Sequence, residues 1–309
     1  MKTLGYDQNQ QRLLRAVSTA SVAVATVLIV VKTYAYAETG SVSLLSSLAD
    51  SFLDAVASIL NLIAVRIALT PADQDHRFGH GKAEALAGLG QACLIGCSVI
   101  FLVVESVKKL LNPEPISSSE IGIGIMLFSI VLTLLLVLFQ NWTFKKTGSL
   151  AIKADASHYR MDLLVNLAVI VAIAGDYFFS FALLDPIIAL LIAAYISLET
   201  SKIFIQSLDQ LMDKELSEDD RRTIHALAIA HPQVEEVHDL RTRCSGSWTF
   251  IQFHMELDPN MRLIDAHRIS DDVADVIIQH FPGSEVFIHQ DPKGLDEEHT
   301  ELERTIVSS

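Results

Sequence analysis

Two pairs of residues that can bind metal ions stand at the same spacing in otherwise apolar parts of the chain. Asp50 and Asp54 are four residues apart, and so are His158 and Asp162. Residues four apart lie on one face of a helix. Carboxylates and imidazole are ligands that Zn²⁺ accepts in tetrahedral geometry. The spacing therefore predicts one metal site that two helices share, with these four side chains as its ligands.

A second group of candidate ligands follows in a short polar stretch. Asp73, His76 and His80 have the spacing of a small metal-binding turn. A zinc protease would need Glu directly after the first histidine of such a pair, and this chain has Arg77 there. Hydrolysis is therefore not supported. The alternative is a polar loop whose histidines are solvated.

The elements that hold these residues are predominantly membrane helices. Half of the 309 residues are hydrophobic, and the mean hydropathy is positive. A bilayer core of about 30 Å needs roughly 20 helical residues to cross it. Six apolar runs have this size, although Lys32 interrupts the first. They are 16–37, 44–68, 85–107, 119–142, 151–174 and 183–207.

Basic residues predict the orientation of the six runs. Lys and Arg collect on the cytoplasmic side of short loops, and here their clusters alternate along the chain, except for Lys108 and Lys109. Both termini are therefore expected in the cytoplasm. An alternative takes residues 1–37 as a signal peptide, because Ala35-Tyr36-Ala37 resembles a cleavage site. The clusters contain Arg12, Arg15, Arg66, Arg77, Lys82, Lys145, Lys146, Lys153 and Lys202.

Burial of the two ligand pairs inside a membrane has an unfavourable free energy unless a partner neutralises their charge. Three ionised carboxylates at bilayer depth cost on the order of 8–10 kcal/mol, and a structural zinc ion offsets about 10–16 kcal/mol. Protons compete with the metal for His158, Asp54 and Asp162, which predicts coupling to protons. Two other interpretations remain open. The polar residues satisfy one another, or His158 and Asp162 lie in a shortened helix end near Lys153.

The last third of the chain has a different composition. Residues 1–211 carry 14 Lys and Arg against 16 Asp and Glu, whereas residues 212–309 carry 9 against 21. Such an acidic part disfavours nucleic acid as a partner and favours cations. Its pattern predicts helix 217–230, strands 234–243 and 247–257, helix 263–281 and strand 284–290. This αββαβ order predicts a small α+β domain of ferredoxin-like or metallochaperone-like type.

Histidines and an acid accumulate on one face of that predicted sheet. Alternation along the strands places His254, His289 and Asp291 on the polar face. Any one of these histidines alone would be interpreted as a surface residue, but together they predict a site for zinc between subunits or a sensor of cytoplasmic metal. The full set is His238, His254, His267, His289 and Asp291.

With these motifs in view, the chain resembles the cation diffusion facilitator family, and is similar to its zinc-transporting bacterial members. Three stretches carry the resemblance: Asp50-x3-Asp54, His158-x3-Asp162, and Asp75-His-Arg-Phe-Gly-His-Gly-Lys-Ala-Glu84. It implies a transport site on the four intramembrane residues, a loop site on the polar turn and a binuclear site on the cytoplasmic histidines. It also implies a Y-shaped homodimer in the bacterial inner membrane, with a Lys82–Asp213 salt bridge as the hinge for alternating access.

The expected protein is thus an α-helical membrane protein with six transmembrane helices and a cytoplasmic α+β domain. We expect domains at 1–211 and 212–295, and a disordered tail at 296–309. The expected activity is export of Zn²⁺, and of Cd²⁺, in exchange for protons. The alternatives are efflux of Fe²⁺ or Mn²⁺ by the same fold, since carboxylates accept several metals, and a membrane-anchored metal sensor. No nucleophile–base set or phosphate loop indicates an enzyme.

Overall fold

The computed structural model describes residues 5–39, 42–111, 120–179 and 183–294. The chain forms two compact units. One contains Gln8–Leu211, and the other contains the chain from Met212 onward together with the residues up to Asp7. The expected disordered tail at 296–309 lies outside the described residues.

Six long helices build the first unit, each of 27 to 32 residues. At 1.5 Å per residue they are about 40–48 Å long, which exceeds the hydrocarbon core. Within the described ranges, five of the helices are apolar enough to cross a membrane. The remaining helix, α5, is less apolar because its first half carries charged residues. The bounds are α1 Gln8–Thr39, α2 Val42–Ala68, α3 Lys82–Leu111, α4 Glu120–Thr147, α5 Leu150–Phe179 and α6 Leu184–Leu211.

The first helix begins eight residues before the predicted apolar run. Hydropathy marks the part of a helix that lies in lipid, and the polar turns from Gln8 onward continue the same helix beyond it. The helix runs unbroken through Ala35-Tyr36-Ala37 and packs against α2 and α4. Residues 8–37 of the segment that the alternative interpretation took as a signal peptide therefore lie in one helix of the bundle.

The bundle presents apolar side chains outward and polar side chains inward, as expected in lipid. Leu135 and Leu191 are among the large exposed apolar residues, whereas Ser21 and Gln140 are fully buried. The helices α3 and α6 approach closely at Gly88, where an added Cβ would lie 2.6 Å from Ser207 Oγ. Polar contacts inside the bundle therefore fix how its helices face one another.

The second unit has the predicted αββαβ order. A three-stranded sheet has the order β1-β2-β3, in which β1 and β2 are antiparallel and β2 and β3 are parallel. The helices pack on one face of this sheet, and the other face carries the histidines. The bounds are α7 Glu218–Ile229, β1 Glu236–Ser245, β2 Trp248–Leu257, α8 Leu263–His280 and β3 Ser284–Pro292.

Alternation along β2 builds the core of this unit. Ile251, Phe253 and Met255 are almost completely buried and pack against Ile224 of α7 and Ile277 of α8. The intervening residues of the strand point to the opposite face. The apolar core thus orients the polar face of the sheet, which includes its histidines.

Two valines one turn apart on α8 provide a matched test of this core. Val273 is 2 % exposed and Val276 is 45 % exposed. We expect Val273→Ala to destabilise the unit by about 1–3 kcal/mol, because it removes two buried methyl groups. Val276→Ala is expected to change stability by at most about 0.5 kcal/mol. Hydrogen exchange of the β2 amides in the full-length protein measures both, and equal effects would contradict this packing.

Candidate metal centres

His158 lies between two carboxylates inside the helix bundle. Its Nε2 atom is 3.0 Å from Asp54 Oδ1 of α2 and 3.8 Å from Asp162 Oδ2 of α5. The three potential ligand atoms lie within 4.8 Å of one another. The His158 side chain is 8 % exposed, and the carboxylates are partly buried. This arrangement offers one nitrogen and two oxygen ligands to a single cation.

Asp50 is not part of this cluster. Its carboxylate oxygens are not among the ligand atoms that lie within 4.8 Å of one another. It is also exposed, whereas His158 is buried. The structure thus brings together three of the four residues that the sequence predicts for this site, and a role for Asp50 as a ligand stays a prediction.

The neighbouring Tyr159 fixes the orientation of His158. The two rings pack edge to face, with centroids 5.9 Å apart. The Tyr159 hydroxyl is 2.7 Å from Ser58 Oγ of α2 and donates to the backbone oxygen of Ser21 of α1. These contacts set the rotation of α5 that points His158 at α2.

Lys32 of α1 lies beside the acidic residues of α2. Its Nζ atom donates to Ser51 Oγ at 2.7 Å and to the backbone oxygen of Ser47 at 3.1 Å. Its positive charge acts on Asp50 and on both carboxylates of the cluster. In the sequence this lysine appears only as an interruption of an apolar run, because its proximity to the acids arises from the packing of α1 against α2.

The loop between α2 and α3 gathers its three candidate ligands around Asp73. His76 Nδ1 is 3.3 Å from Asp73 Oδ1, and His80 Nε2 is 3.3 Å from Asp73 Oδ2. The imidazole centroids are 4.5 Å apart. Gly79 has φ of +76°, which turns the chain between the two histidines. The loop is therefore a turn closed by Asp73, as the spacing predicts, and its three donors face one point.

Asp73 is kept ionised by its own turn. The backbone N–H of His76 donates to Asp73 Oδ1, and this bond lowers the pKa of Asp73. The backbone N–H of Asp75 donates to the same oxygen. A carboxylate that stays deprotonated in this way is available as a metal ligand across the physiological pH range.

Three histidines form a row across the sheet of the second unit. The strand register pairs His238 with His254 and His254 with His289. Their adjacent ring centroids are 5.2 and 4.6 Å apart. The row follows from the strand pairing, because directly opposite residues share a face. The structure thus brings these three predicted residues together.

Asp291 contacts all three histidines. Its Oδ2 atom is 2.8 Å from His254 Nδ1 and 3.6 Å from His238 Nε2, and its Oδ1 atom is 3.0 Å from His289 Nε2. The side chain is only 5 % exposed. A buried carboxylate that reaches imidazoles through both oxygens is suited to bridge two metal ions.

Two further residues bear on this region, and the role of His267 as a ligand stays a prediction. His267 lies on α8, where it is exposed, pairs with Asp271 at 3.6 Å and is not in the cluster. Asp239 joins the region instead, with Oδ2 3.8 Å from His254 Nε2. A bulge follows His238 in β1, and Asp239 adopts φ of +47° there. Simple alternation misses Asp239 because a bulge changes the face to which a residue points.

The two residues of the expected hinge belong to different units. Lys82 Nζ donates to the backbone oxygen of Leu211 at 3.3 Å. Asp213 Oδ2 is 3.6 Å from Arg243 Nη1, and the Asp213 backbone has φ of +56°. The Lys82–Asp213 salt bridge stays a prediction.

Comparison with known proteins places these sites in a family. The cation efflux transmembrane domain matches residues 18–212, and the cytoplasmic domain of cation efflux proteins matches residues 216–293. Cation-efflux pump FieF of Klebsiella pneumoniae is 40 % identical over 289 residues, which cover 94 % of this chain and 96 % of that protein. FieF of Salmonella choleraesuis is 41 % identical over 286 residues, covering 93 % and 95 %.

A solved structure of CzrB in its zinc form is 32 % identical and covers 28 % of this chain and 100 % of its own, with a TM-score of 0.26. The two domain matches cover both units, and the pumps match over nearly their whole length. The chain therefore belongs to the cation efflux family, the cation diffusion facilitators, which are multi-pass membrane transporters of divalent metal ions.

Proposed function

We propose that this protein exports Zn²⁺, and also Cd²⁺, from the cytoplasm in exchange for protons by alternating access. The observation that carries the proposal is the buried imidazole of His158 between Asp54 and Asp162. Asp50 completes the transport site as the fourth ligand. The metal is the substrate, and the four side chains hold it in the middle of its path.

The distances in the cluster support a tetrahedral ion. Zinc bonds of about 2.0–2.1 Å to nitrogen and oxygen put neighbouring ligand atoms about 3.3 Å apart in a tetrahedron. The observed separations of 3.0 and 3.8 Å bracket that value. Small side-chain movements therefore suffice to bind Zn²⁺ with these three ligands. Fe²⁺ and Mn²⁺ are the competing substrates, because carboxylates also accept them.

Proton exchange follows from the chemistry of the ligands. His158 must be neutral, and Asp54 and Asp162 must be deprotonated, to bind a metal ion. Protons and metal thus compete for the same atoms. When the site opens to the more acidic side, protonation of the ligands releases the ion there, and loss of the protons on the other side restores its affinity.

The remaining sites have supporting roles in the proposal. Asp73, His76 and His80 form a metal-binding turn at the cytoplasmic end of the bundle. Lys82 and Asp213 connect the membrane helices to the cytoplasmic domain as a hinge. The protein resides in the bacterial inner membrane with both termini in the cytoplasm, which the distribution of Lys and Arg supports.

The cytoplasmic domain binds zinc and pairs with a second copy. The donor set of three imidazoles and the buried Asp291 fits zinc, which favours nitrogen and oxygen ligands. His267 lies apart from the cluster within one chain, and in a homodimer it would join the cluster of the second copy. The exposed Phe287, two residues before His289 on the same face of β3, supports burial of this face against a partner.

Reconstituted flux through an isosteric variant tests the transport site. We expect Asp162→Asn to lower Zn²⁺ flux by at least about tenfold, because it replaces a charged ligand with a neutral amide. Glu105→Gln is the matched control, since Glu105 is an exposed acid of α3 paired with Lys108. Flux that survives Asp162→Asn would contradict the role of Asp162 in the transport site, whereas a wild type without flux would favour the sensor alternative. The same vesicles rank Zn²⁺, Cd²⁺, Fe²⁺ and Mn²⁺ as substrates.

A pH gradient tests the exchange. A pH gradient is imposed on vesicles with and without internal Zn²⁺. Internal metal and internal pH are then measured together. We expect metal to move against the direction of proton flow, and a proton ionophore to remove the stimulation. Metal flux that is indifferent to the gradient would contradict antiport while leaving a facilitated transporter.

Zinc titration of the full-length protein tests the cytoplasmic site. In an Asp162→Asn background, we expect His254→Ala to lower zinc affinity by about 10- to 100-fold, because His254 lies at the centre of the row. His225→Ala on α7 is the control and is expected to leave the titration unchanged. The measurement is competition with a chromophoric chelator. Identical curves for the two variants would remove the cytoplasmic site from the proposal.

A further inference from the structure

A further carboxylate is buried in the bundle next to the cluster of Asp54, His158 and Asp162. Asp155 of α5 precedes His158 by three residues and is fully buried. Its Oδ2 atom accepts hydrogen bonds from Ser21 Oγ of α1 at 2.7 Å and from Gln140 Nε2 of α4 at 2.8 Å. Three helices thus converge on a carboxylate that is not one of the clustered metal ligands.

Among the described residues, no lysine, arginine or histidine forms an ion pair with Asp155. The neighbouring side chains from α1, α2 and α4 are the uncharged Ser21, Asn61 and Gln140, and the titratable groups nearby on α5 are His158 and Tyr159. The neutral amide of Asn61 is close enough to interact with the carboxylate, but its Nδ2 atom is not in hydrogen-bond geometry with Asp155 Oδ1. Oδ1 is therefore buried with an uncharged amide nearby and no well-formed hydrogen bond.

A buried carboxylate without a cation is stabilised most directly by a proton. Ser21 and Gln140 both donate to Oδ2, so Oδ1 is the oxygen that can carry this proton. A dication bound one helical turn away would favour the ionised form instead. The position of Asp155 therefore links its protonation to occupation of the metal cluster without making it a ligand.

We propose that Asp155 is a proton-binding site of the transport cycle, separate from the atoms that bind the metal. This inference rests on the proposed exchange of metal for protons. When the metal binds from the cytoplasm, the O–H bond of Asp155 breaks, its electron pair stays on the carboxylate, and the proton passes to cytoplasmic water. When the metal leaves on the other side, the carboxylate takes up a proton from water there.

The isosteric variant Asp155→Asn tests the proposal. Its amide oxygen still accepts hydrogen bonds from Ser21 and Gln140, but the side chain cannot bind and release a proton. We expect gradient-driven Zn²⁺ transport to lose part or all of its dependence on the imposed pH difference. We expect Zn²⁺ exchange at equal pH on both sides to remain. If Asp155 had a purely structural role, the variant would change gradient-driven transport and equal-pH exchange together, or would change neither.

Glu199→Gln is the matched control. Glu199 is an acid of α6 that pairs with Lys202 at 2.9 Å, so its carboxylate already has a cation. This variant is expected to keep the full response to the gradient. If the wild type itself ignores the gradient, the proposed antiport fails. If the wild type responds and Asp155→Asn responds equally, only the role of Asp155 is overturned.

Infrared difference spectroscopy keeps the proposal testable if Asp155→Asn does not fold. Addition of Zn²⁺ to the wild type in detergent is expected to remove a carboxylic acid C=O band, which reports loss of a proton from a protonated acid. Asp155→Glu, which retains an exchangeable proton, is expected to shift the position of that band. Absence of a metal-sensitive acid band in the wild type, or a band unaffected by Asp155→Glu, would overturn the proposal.

Discussion

An unneutralised charge inside a lipid-facing helix bundle has an unfavourable free energy, and the rest of the structure depends on this constraint. A charged side chain there needs a partner of opposite charge, a hydrogen-bond network or a proton. His158 lies between two acids, and Lys32 binds the α2 segment that carries Asp50 and Asp54. The helices are held in register by the same polar contacts that would receive the metal. In the proposed cycle, the atoms that hold the helices together would also bind the metal and the protons.

The two units use similar donors in different solvents. The membrane cluster has one imidazole and mostly carboxylates, which retain negative charge and strongly attract a dication in a low dielectric. The sheet of the second unit has three imidazoles around one buried carboxylate, on a surface that water reaches. The two sites therefore combine the same two types of ligand in different proportions.

Much of this could be predicted from local patterns. Apolar runs of bilayer length predicted the helices, and spacing of four residues placed His158 and Asp162 on one face. Alternation along β2 predicted both its buried side and the position of His254 on the opposite face. These features depend on the periodicity of a single element. For that reason the αββαβ order and most of the candidate ligands were accessible from the sequence.

What the sequence missed depends on contacts between distant elements. Asp155 and Ser21 are 134 residues apart, so no local pattern reveals their hydrogen bond. Asp239 reaches His254 only because a bulge interrupts the alternation of β1. Within one chain, His267 lies on a helix of the opposite layer and the Asp50 carboxylate lies outside the cluster, so their roles as ligands stay predictions.

The second unit is not one continuous stretch of chain. The buried Tyr6 groups with it, and its backbone N–H donates to Ser247 Oγ at 3.1 Å in the turn between β1 and β2. A fragment that begins at Met212 would therefore lack the buried Tyr6 and the backbone N–H that donates to Ser247 Oγ. Fragment design for the metal-binding domain has to restore that short N-terminal piece, added as a peptide or joined through a linker.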